Sequence, residues 1–195
     1  MGSRNRLLTV PGRMAFGSLV EPRVTDYGSE WSLGLELTNE EAQPLIEAML
    51  AAVDDAMARD PKWKTAKDYN KPWGPARDKQ PDGTLVDNPD KVLIRIKRKT
   101  EKKYRGELTK QDPPILWDSL GRVVNGQVKE VGWGSIIKVQ FEFFPYSMGS
   151  CGIATDLQGV QIIELKEREL APPPVEGGWV VDSEDEVVTL MTDAS

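Results

Sequence analysis

Apolar and polar positions alternate with a period of two along most of the chain, and with a period near 3.6 over a single stretch. That stretch is 39–60, "NEEAQPLIEAMLAAVDDAMARD". Its Ala42, Leu45, Ile46, Met49, Leu50, Val53 and Met57 share one helical face and are expected in the core. Thr38 or Asn39 is placed to cap the helix. Glu40 and Glu41 stand in the first turn, where the dipole favours acids, and Pro44 lies near the start, where proline is best tolerated.

Strands surround this helix. "GRMAFGSLVEP" predicts a first strand closed by Pro22, and "EWSLGLELT" a second. "KVLIRIKRK" alternates, with Val92, Ile94 and Ile96 facing one way and Arg95, Lys97 and Lys99 the other. "PPILWD" and "GRVV" predict short strands around a turn. In "GSIIKVQFEFFPY", Ile137, Val139, Phe141 and Phe143 form an apolar face, opposite Lys138, Gln140, Glu142, Phe144 and Tyr146. "GSCGIATDLQGVQIIEL" predicts two more short strands. The expected architecture is mainly β: a closed or nearly closed barrel of about five strands, with one main helix after the second strand and long connections.

Residues 60–90 hold no sustained period and are rich in proline, which predicts a long loop. This loop interleaves Trp63, Tyr69 and Trp73 with Lys71, Arg77 and Lys79 among other cations. Trp63 and Trp73 are expected to serve binding. Trp31 and Trp117 are expected to pack in the core or at a strand edge, the same reading standing open for Trp133.

Charge changes the picture. The chain carries a formal net charge of -6, yet eight of the fifteen residues 91–105 are Lys or Arg, opposed only by Glu101. The acidic excess is confined to the end. From Glu176 to Ser195 there are six acids and no base; 31 acids less these six leave 25, against 25 bases in the remainder. "APPPVEGG", residues 171–178, opens this end of the chain and has the composition of a linker. The expected organisation is a folded domain over 1–170 and a flexible acidic tail over 171–195. The tail fits a solvating segment or an interaction arm; Trp179 and the aliphatic Val180, Val181, Val187, Val188 and Leu190 favour the arm.

The basic ribbon points to a polyanion. Same-face residues of a strand stand about 6.6–6.8 Å apart, so Arg95, Lys97 and Lys99 form a row that can follow a phosphate backbone. Lys91, Lys102, Lys103, Tyr104 and Arg105 extend the ribbon at its two ends. Phe144 and Tyr146 stand on the polar face of their strand beside Lys138. Positive grooves with exposed rings are what single-stranded nucleic-acid binders use, because every base offers a face to stack on.

Catalytic chemistry finds little support. The sequence has no histidine, one cysteine (Cys151) and no Gly-rich phosphate loop. That excludes His-based triads, His ligands and an internal disulfide, and a lone thiol suits a reducing compartment. The acidic pair Asp54–Asp55 and the acidic run Glu184–Asp185–Glu186 fit solvated surface better than a metal site. No cofactor and no enzymatic activity are expected. No apolar run approaches the roughly 20 residues of a membrane span, and the first ten residues lack the pattern of a signal peptide.

The block "GWGSIIKVQFEFFPYSMGSCGIATDLQGVQIIEL" resembles the closing strands of phage-encoded single-stranded DNA-binding proteins of short-tailed phages with their own replisome. The shared features are a "GS" opening, a strand ending in an aromatic followed by "PY", a Gly-containing turn and "LQGVQIIEL". "GRMAFGSLVEP" and the acidic end fit the same family. The resemblance implies an oligonucleotide/oligosaccharide-binding (OB) barrel that coats single-stranded DNA in replication and recombination, in the cytoplasm of the infected bacterial host. It also implies a tail that occupies the DNA groove when DNA is absent and recruits DNA polymerase and primase-helicase. In this chain Trp179, Asp182, Glu184, Asp185 and Glu186 would carry those contacts. The best-studied members of the family it resembles end in an aromatic residue; this chain ends "LMTDAS", with Trp179 set further in. Either a monomer or a homodimer is compatible. The rival expectation is a virion assembly barrel whose ribbon pairs with an acidic partner.

Overall fold

The computed structural model describes residues 5–26, 28–104 and 106–166. Trp179, Asp182, Glu184, Asp185 and Glu186, the expected boundary at 170/171 and Arg105 lie outside the described residues; of Tyr104 only the backbone is described.

Among the described residues, ten strands and two helices follow one another. They are β1 (Asn5–Leu8), β2 (Gly12–Thr25), β3 (Gly28–Thr38), α1 (Asn39–Arg59), α2 (Pro61–Thr65), β4 (Trp73–Lys79) and β5 (Leu85–Lys99). Then come β6 (Glu101–Tyr104), β7 (Glu107–Lys110), β8 (Ile115–Trp117), β9 (Ile136–Tyr146) and β10 (Gly152–Glu164). The main sheet runs β4-β5-β3-β2-β9-β10-β8, with β1 paired to β9, while β6 and β7 form a separate hairpin. The five long strands β2, β3, β5, β9 and β10 make the barrel, and α1 follows the second of them, as the patterning predicts.

The alternation in β9 holds along its length. Ile137, Val139, Phe141 and Phe143 are all buried, joined in the core by Leu33, Leu35, Leu37, Ile94, Ile96, Leu157 and Val160. Helix α1 packs on β3, β5 and β9 with Ala42, Leu45, Met49 and Val53 buried. Ile46 and Met57 are partly buried beside that core, and Leu50 is exposed. Its start is fixed by a capping box: the Thr38 hydroxyl accepts from the Glu41 N–H and the Glu41 carboxylate accepts from the Thr38 N–H.

Between β5 and β10, among the described residues, side chains rather than a backbone ladder make the seam. The Thr155 hydroxyl accepts from the Lys97 N–H at 3.2 Å and donates to the Arg95 carbonyl at 3.4 Å. Below it, Arg98 donates to the buried Asp156 carboxylate at 3.2 Å and to the Leu157 carbonyl at 3.4 Å. The cation and anion are both withdrawn from water and satisfied by several bonds, the condition under which a buried pair is tolerated.

Four expectations are corrected. Pro22 does not close a strand: β2 continues to Thr25. The ladder skips there, so that 19–22 stand opposite Trp31 alone, between the pairs Ser18↔Ser32 and Arg23↔Glu30, and proline's missing N–H is not required. Residues 60–90 are not one long loop. Asp60 caps α2, accepting from the Lys62 N–H at 2.9 Å, and Pro61 takes the first helical position, where no N–H is needed. β4 then pairs with β5 through a turn at Asp82-Gly83, where Gly83 has φ +85. "GSCGIATDLQGVQIIEL" forms one strand, β10, with register shifts after Leu157 and Ile162, rather than two. The first shift brings Gly159 under the Trp117 ring, at a distance where no side chain fits. "GRVV" contributes only an isolated bridge, Trp117↔Val123.

Candidate nucleic-acid interface

β5 presents alternate residues outward, as the period of two predicts: Arg95, Lys97 and Lys99 are exposed while Ile94 and Ile96 are buried. Its neighbour β3 places Gly34, Ser32 and Glu30 opposite those three cations. The row is therefore bordered by small residues and by one acid. Glu30 accepts from Lys97 at 3.3 Å; Arg95 and Lys99 have no carboxylate partner among the described residues.

A groove lies at the Lys99 end of this row. The hairpin β6–β7 forms one wall, with Lys102, Lys103 and Leu108, and Phe144, Ala154 and Thr155 of β9 and β10 form the other. Its cations are Lys97, Lys99, Lys102 and Lys103, against Glu101 and Asp156. Asp156 is buried at the base and ion-paired to both Arg98 and Lys102, so that acid anchors the wall and its charge is neutralised. Lys99 and Lys103 remain without a carboxylate partner among the described residues. Leu108 is widely exposed at the hairpin. This groove can take a polyanion along the lysines and a flat apolar group against Phe144 and Leu108.

A second groove lies at the Arg95 end, on the outer face of β2, β3, β5 and β4. It gathers Arg13, Phe16, Arg77, Lys79, Arg95 and Trp133. Arg77 is paired to Asp87 at 2.9 Å, and Arg13 to Glu36 at 3.1 Å. Lys79 has no carboxylate partner among the described residues.

The remaining expected residues are dispersed. Lys91 donates to Glu36 at 2.8 Å, a bond that raises the ammonium pKa above its ordinary value. Lys138 is six residues from Phe144 along β9, about 20 Å away at the strand rise, and lines neither groove. Tyr146 lies flat over Gly152 and accepts from the Asn70 amide at 3.2 Å. Lys71 sits 5.1 Å from the Tyr69 ring centroid. Trp73 begins β4 opposite Ile94 and packs partly buried against the core.

Trp63 is a correction. Only 2% exposed, it packs in the core with its ring 5.5 Å from that of Tyr69. The short helix α2, which the prolines conceal in the sequence, turns it inward. Trp31 is buried as expected, its indole N–H directed at the Val20 carbonyl at 3.4 Å. Trp117 is half-buried at the β8 edge, and Trp133 is 65% exposed.

Sequence reasoning missed Phe16. Strict alternation puts it on the same face as Met14, but the register shifts between Met14 and Phe16, so Met14 is buried and Phe16 is 45% exposed. For Trp133, the flanking glycines of "GWG" were the available sign of an exposed tip. Leu108 had no signal beyond its position within a charged segment.

Five long strands, a helix after the second and an outer face crossed by a basic row define an OB-type barrel. No protein-family model matches the sequence, and no curated protein matches it. Solved structures do share the fold. The crystal structure of gp2.5, a single-stranded DNA-binding protein encoded by bacteriophage T7, is similar with a TM-score of 0.60 and 17% identity, covering 89% of this chain and 100% of that one. The single-stranded DNA-binding protein of bacteriophage Enc34 in complex with ssDNA is similar with a TM-score of 0.59 and 12% identity, covering 83% of this chain and 88% of that one. Another structure of the single-stranded DNA-binding protein from bacteriophage Enc34 gives a TM-score of 0.59 at 10% identity, over 88% of this chain and 85% of that one. At these identities the likeness is one of fold.

Proposed function

We propose that this chain is a sequence-tolerant single-stranded DNA-binding protein of a phage, acting by coating DNA and not by chemistry of its own. The observation that carries the reading is the groove at the Lys99 end: Lys99 and Lys103, without a carboxylate partner among the described residues, beside Lys97, with Phe144 opposite, on a fold shared with two phage single-stranded DNA-binding proteins. Phosphates would lie along the β5 row and Lys103 of the hairpin, and a base would stack on Phe144. Each such stack is worth about 1–3 kcal/mol and needs no particular base, which gives tolerance of sequence.

In this reading the protein works in replication and recombination in the cytoplasm of an infected bacterium. The acidic segment from Glu176 to Ser195 acts as a tethered polyanion. A linked competitor reaches millimolar effective concentration if its linker spans the distance, so it screens the groove from weak anions and yields to long DNA. Released by DNA, the same segment recruits a polymerase or primase-helicase.

Titration with oligo(dT), followed by quenching of tryptophan fluorescence, tests the reading. Saturable, salt-sensitive binding without cleavage in the presence of magnesium is expected. Failure to bind oligo(dT) at low salt would overturn it and leave the virion assembly role; magnesium-dependent cleavage would make the protein a nuclease.

A further inference from the structure

We infer that Phe16 and Trp133 form a second stacking platform, and that the nucleic-acid track runs from the Lys99 groove along β5 onto it. The inference rests on the single-stranded DNA reading above and extends the site to residues that reading does not use.

Both rings are fixed in place. Phe16 lies on the backbone of Gly34: a Cβ built at Gly34 would stand 2.5 Å from the ring. Glycine there lets the ring lie close against β3 and leaves it 45% exposed on the outer surface. Gly34 pairs directly with Arg95, so this ring borders the basic row.

Trp133 stands at the tip of a loop that is tied down on every side. The Gly134 N–H donates to the Met14 carbonyl at 2.8 Å and the Met14 N–H to the Ser135 carbonyl at 2.9 Å. The fully buried Ser135 hydroxyl donates to the Gly132 carbonyl at 2.8 Å and accepts from the Lys166 N–H at 2.9 Å. The Gly132 N–H closes the loop on the Lys166 carbonyl at 2.7 Å. Gly134 has φ +84, a conformation that favours glycine. So well-anchored a loop presents its one large ring to water instead of burying it, at 65% exposure.

The electrostatics suit a polyanion. Arg13 holds its guanidinium 5.3 Å from the Trp133 ring centroid while pairing with Glu36, so the platform carries a cation at its edge. Arg95 and Lys79 bring charges without carboxylate partners among the described residues, and Arg77 brings one paired to Asp87. The acids lining the same groove are Glu36, bound by Arg13 and Lys91, and Asp78, which accepts from the Asn88 amide. Arg95 and Lys97 are successive outward residues of β5, one in each groove, so the two grooves share a continuous row of cations.

The prediction is a dependence on DNA length. Site sizes of OB folds run from about 4 to 16 nucleotides, so probes of about five and about twenty dT residues discriminate one groove from two. A Phe16→Leu/Trp133→Ala variant is compared with the full-length wild type at the same salt. Binding of the long probe should weaken by about tenfold or more, the scale of lost base stacking. Binding of the short probe should stay within about twofold, and the occluded site size should shrink. Phe144→Ala serves as the contrast and should weaken both probes.

A thermal melt accompanies each variant. Phe16→Leu keeps the contact with Gly34 and Trp133 contributes little buried surface, so the melting temperature should hold. Trp133→Phe, which retains a ring, should restore most of the long-probe affinity while removing part of the DNA-induced quenching; a purely structural role would not separate the two. If the wild type binds both probes and the double variant binds them equally well, the platform is not on the track and this inference alone falls. Equal weakening of both probes would also overturn it, by making the platform the main site. If the wild type binds neither probe, the DNA reading itself fails and takes the inference with it.

Discussion

Removing Arg95, Lys97 and Lys99 together tests the basic row most directly. All three side chains are exposed, and the seam contacts that pass through this segment use the Lys97 N–H and the Arg95 carbonyl, which alanine retains. The ladder to β3 is likewise backbone. Among the described residues only Lys97 has an ion-pair partner, Glu30, and a pair of this partly exposed kind is worth about 0–1 kcal/mol. The fold should therefore survive.

Each phosphate contact on a single strand contributes about 0.7 to the slope of log affinity against log salt, so three lost contacts flatten the slope by about 2. Between about 50 and 200 mM salt, wild-type binding should then fall roughly 20-fold further than binding by the triple variant. The assay is fluorescence titration with oligo(dT) at a series of salt concentrations, alongside a melt. Lys102→Ala provides the internal contrast, because Asp156 already engages Lys102 and the slope should change little. A triple variant with the wild-type slope and a wild-type melt would remove the β5 row from the binding surface.

Phe144→Ala should weaken oligo(dT) binding by about 1–3 kcal/mol while leaving the salt slope unchanged, since a ring and no charge is lost. Trp63→Ala should cost about 3–5 kcal/mol in urea unfolding without altering affinity per folded molecule, as fits a core ring. Asp156→Ala leaves Arg98 largely buried without its acid and should destabilise by about 3–5 kcal/mol; it also frees Lys102, so the salt slope should steepen by up to about 0.7. The hydrogen bond from the Ser147 hydroxyl, with that from the Lys62 N–H, holds the Asp60 carboxyl below its ordinary pKa. Its stabilising effect is complete above the unfolded value of about 3.9 and is lost as pH falls through the lower folded value. Ser147→Ala should therefore lower the melting temperature at neutral pH and lose less than the wild type on acidification.

Much of this fold follows from local rules that are visible residue by residue. The buried face of β9 is its alternate apolar residues, and the start of α1 is set by Thr38 and by Glu41 three positions on. What escaped these rules is non-local. A one-residue slip in the β2–β3 ladder turns Phe16 outward, and nothing in "GRMAFGS" announces where the slip falls. The Asp82-Gly83 turn was a visible hairpin signal, but the prolines around it suggested a loop; an edge strand such as β4 tolerates Pro75 because its outer N–H groups need no partner. Trp63 looked like a loop ring because α2 is a single turn, too short for a period to show.

Arg98 shows why a charge count alone cannot delimit a binding surface. The period of two puts it on the same side of β5 as Ile94 and Ile96, facing the interior, and an inward arginine requires a buried acid. That acid is Asp156, 58 residues further along the chain. Of the ribbon's described cations, Lys91, Lys97, Arg98 and Lys102 are paired to Glu36, Glu30 and Asp156, whereas Arg95, Lys99 and Lys103 have no carboxylate partner among the described residues. The pairing sorts a uniformly basic segment into two roles. Lys91, Arg98 and Lys102 tie β5 and the hairpin to the barrel wall through the buried acids Glu36 and Asp156, whereas Arg95, Lys97, Lys99 and Lys103 stand exposed toward solvent. Within the sequence the counterweight to those exposed cations is remote, in the six acids from Glu176 to Ser195. A net charge of -6 is thus the sum of a neutral body, basic along one ribbon, and an acidic end, and by itself it hides where the cations gather.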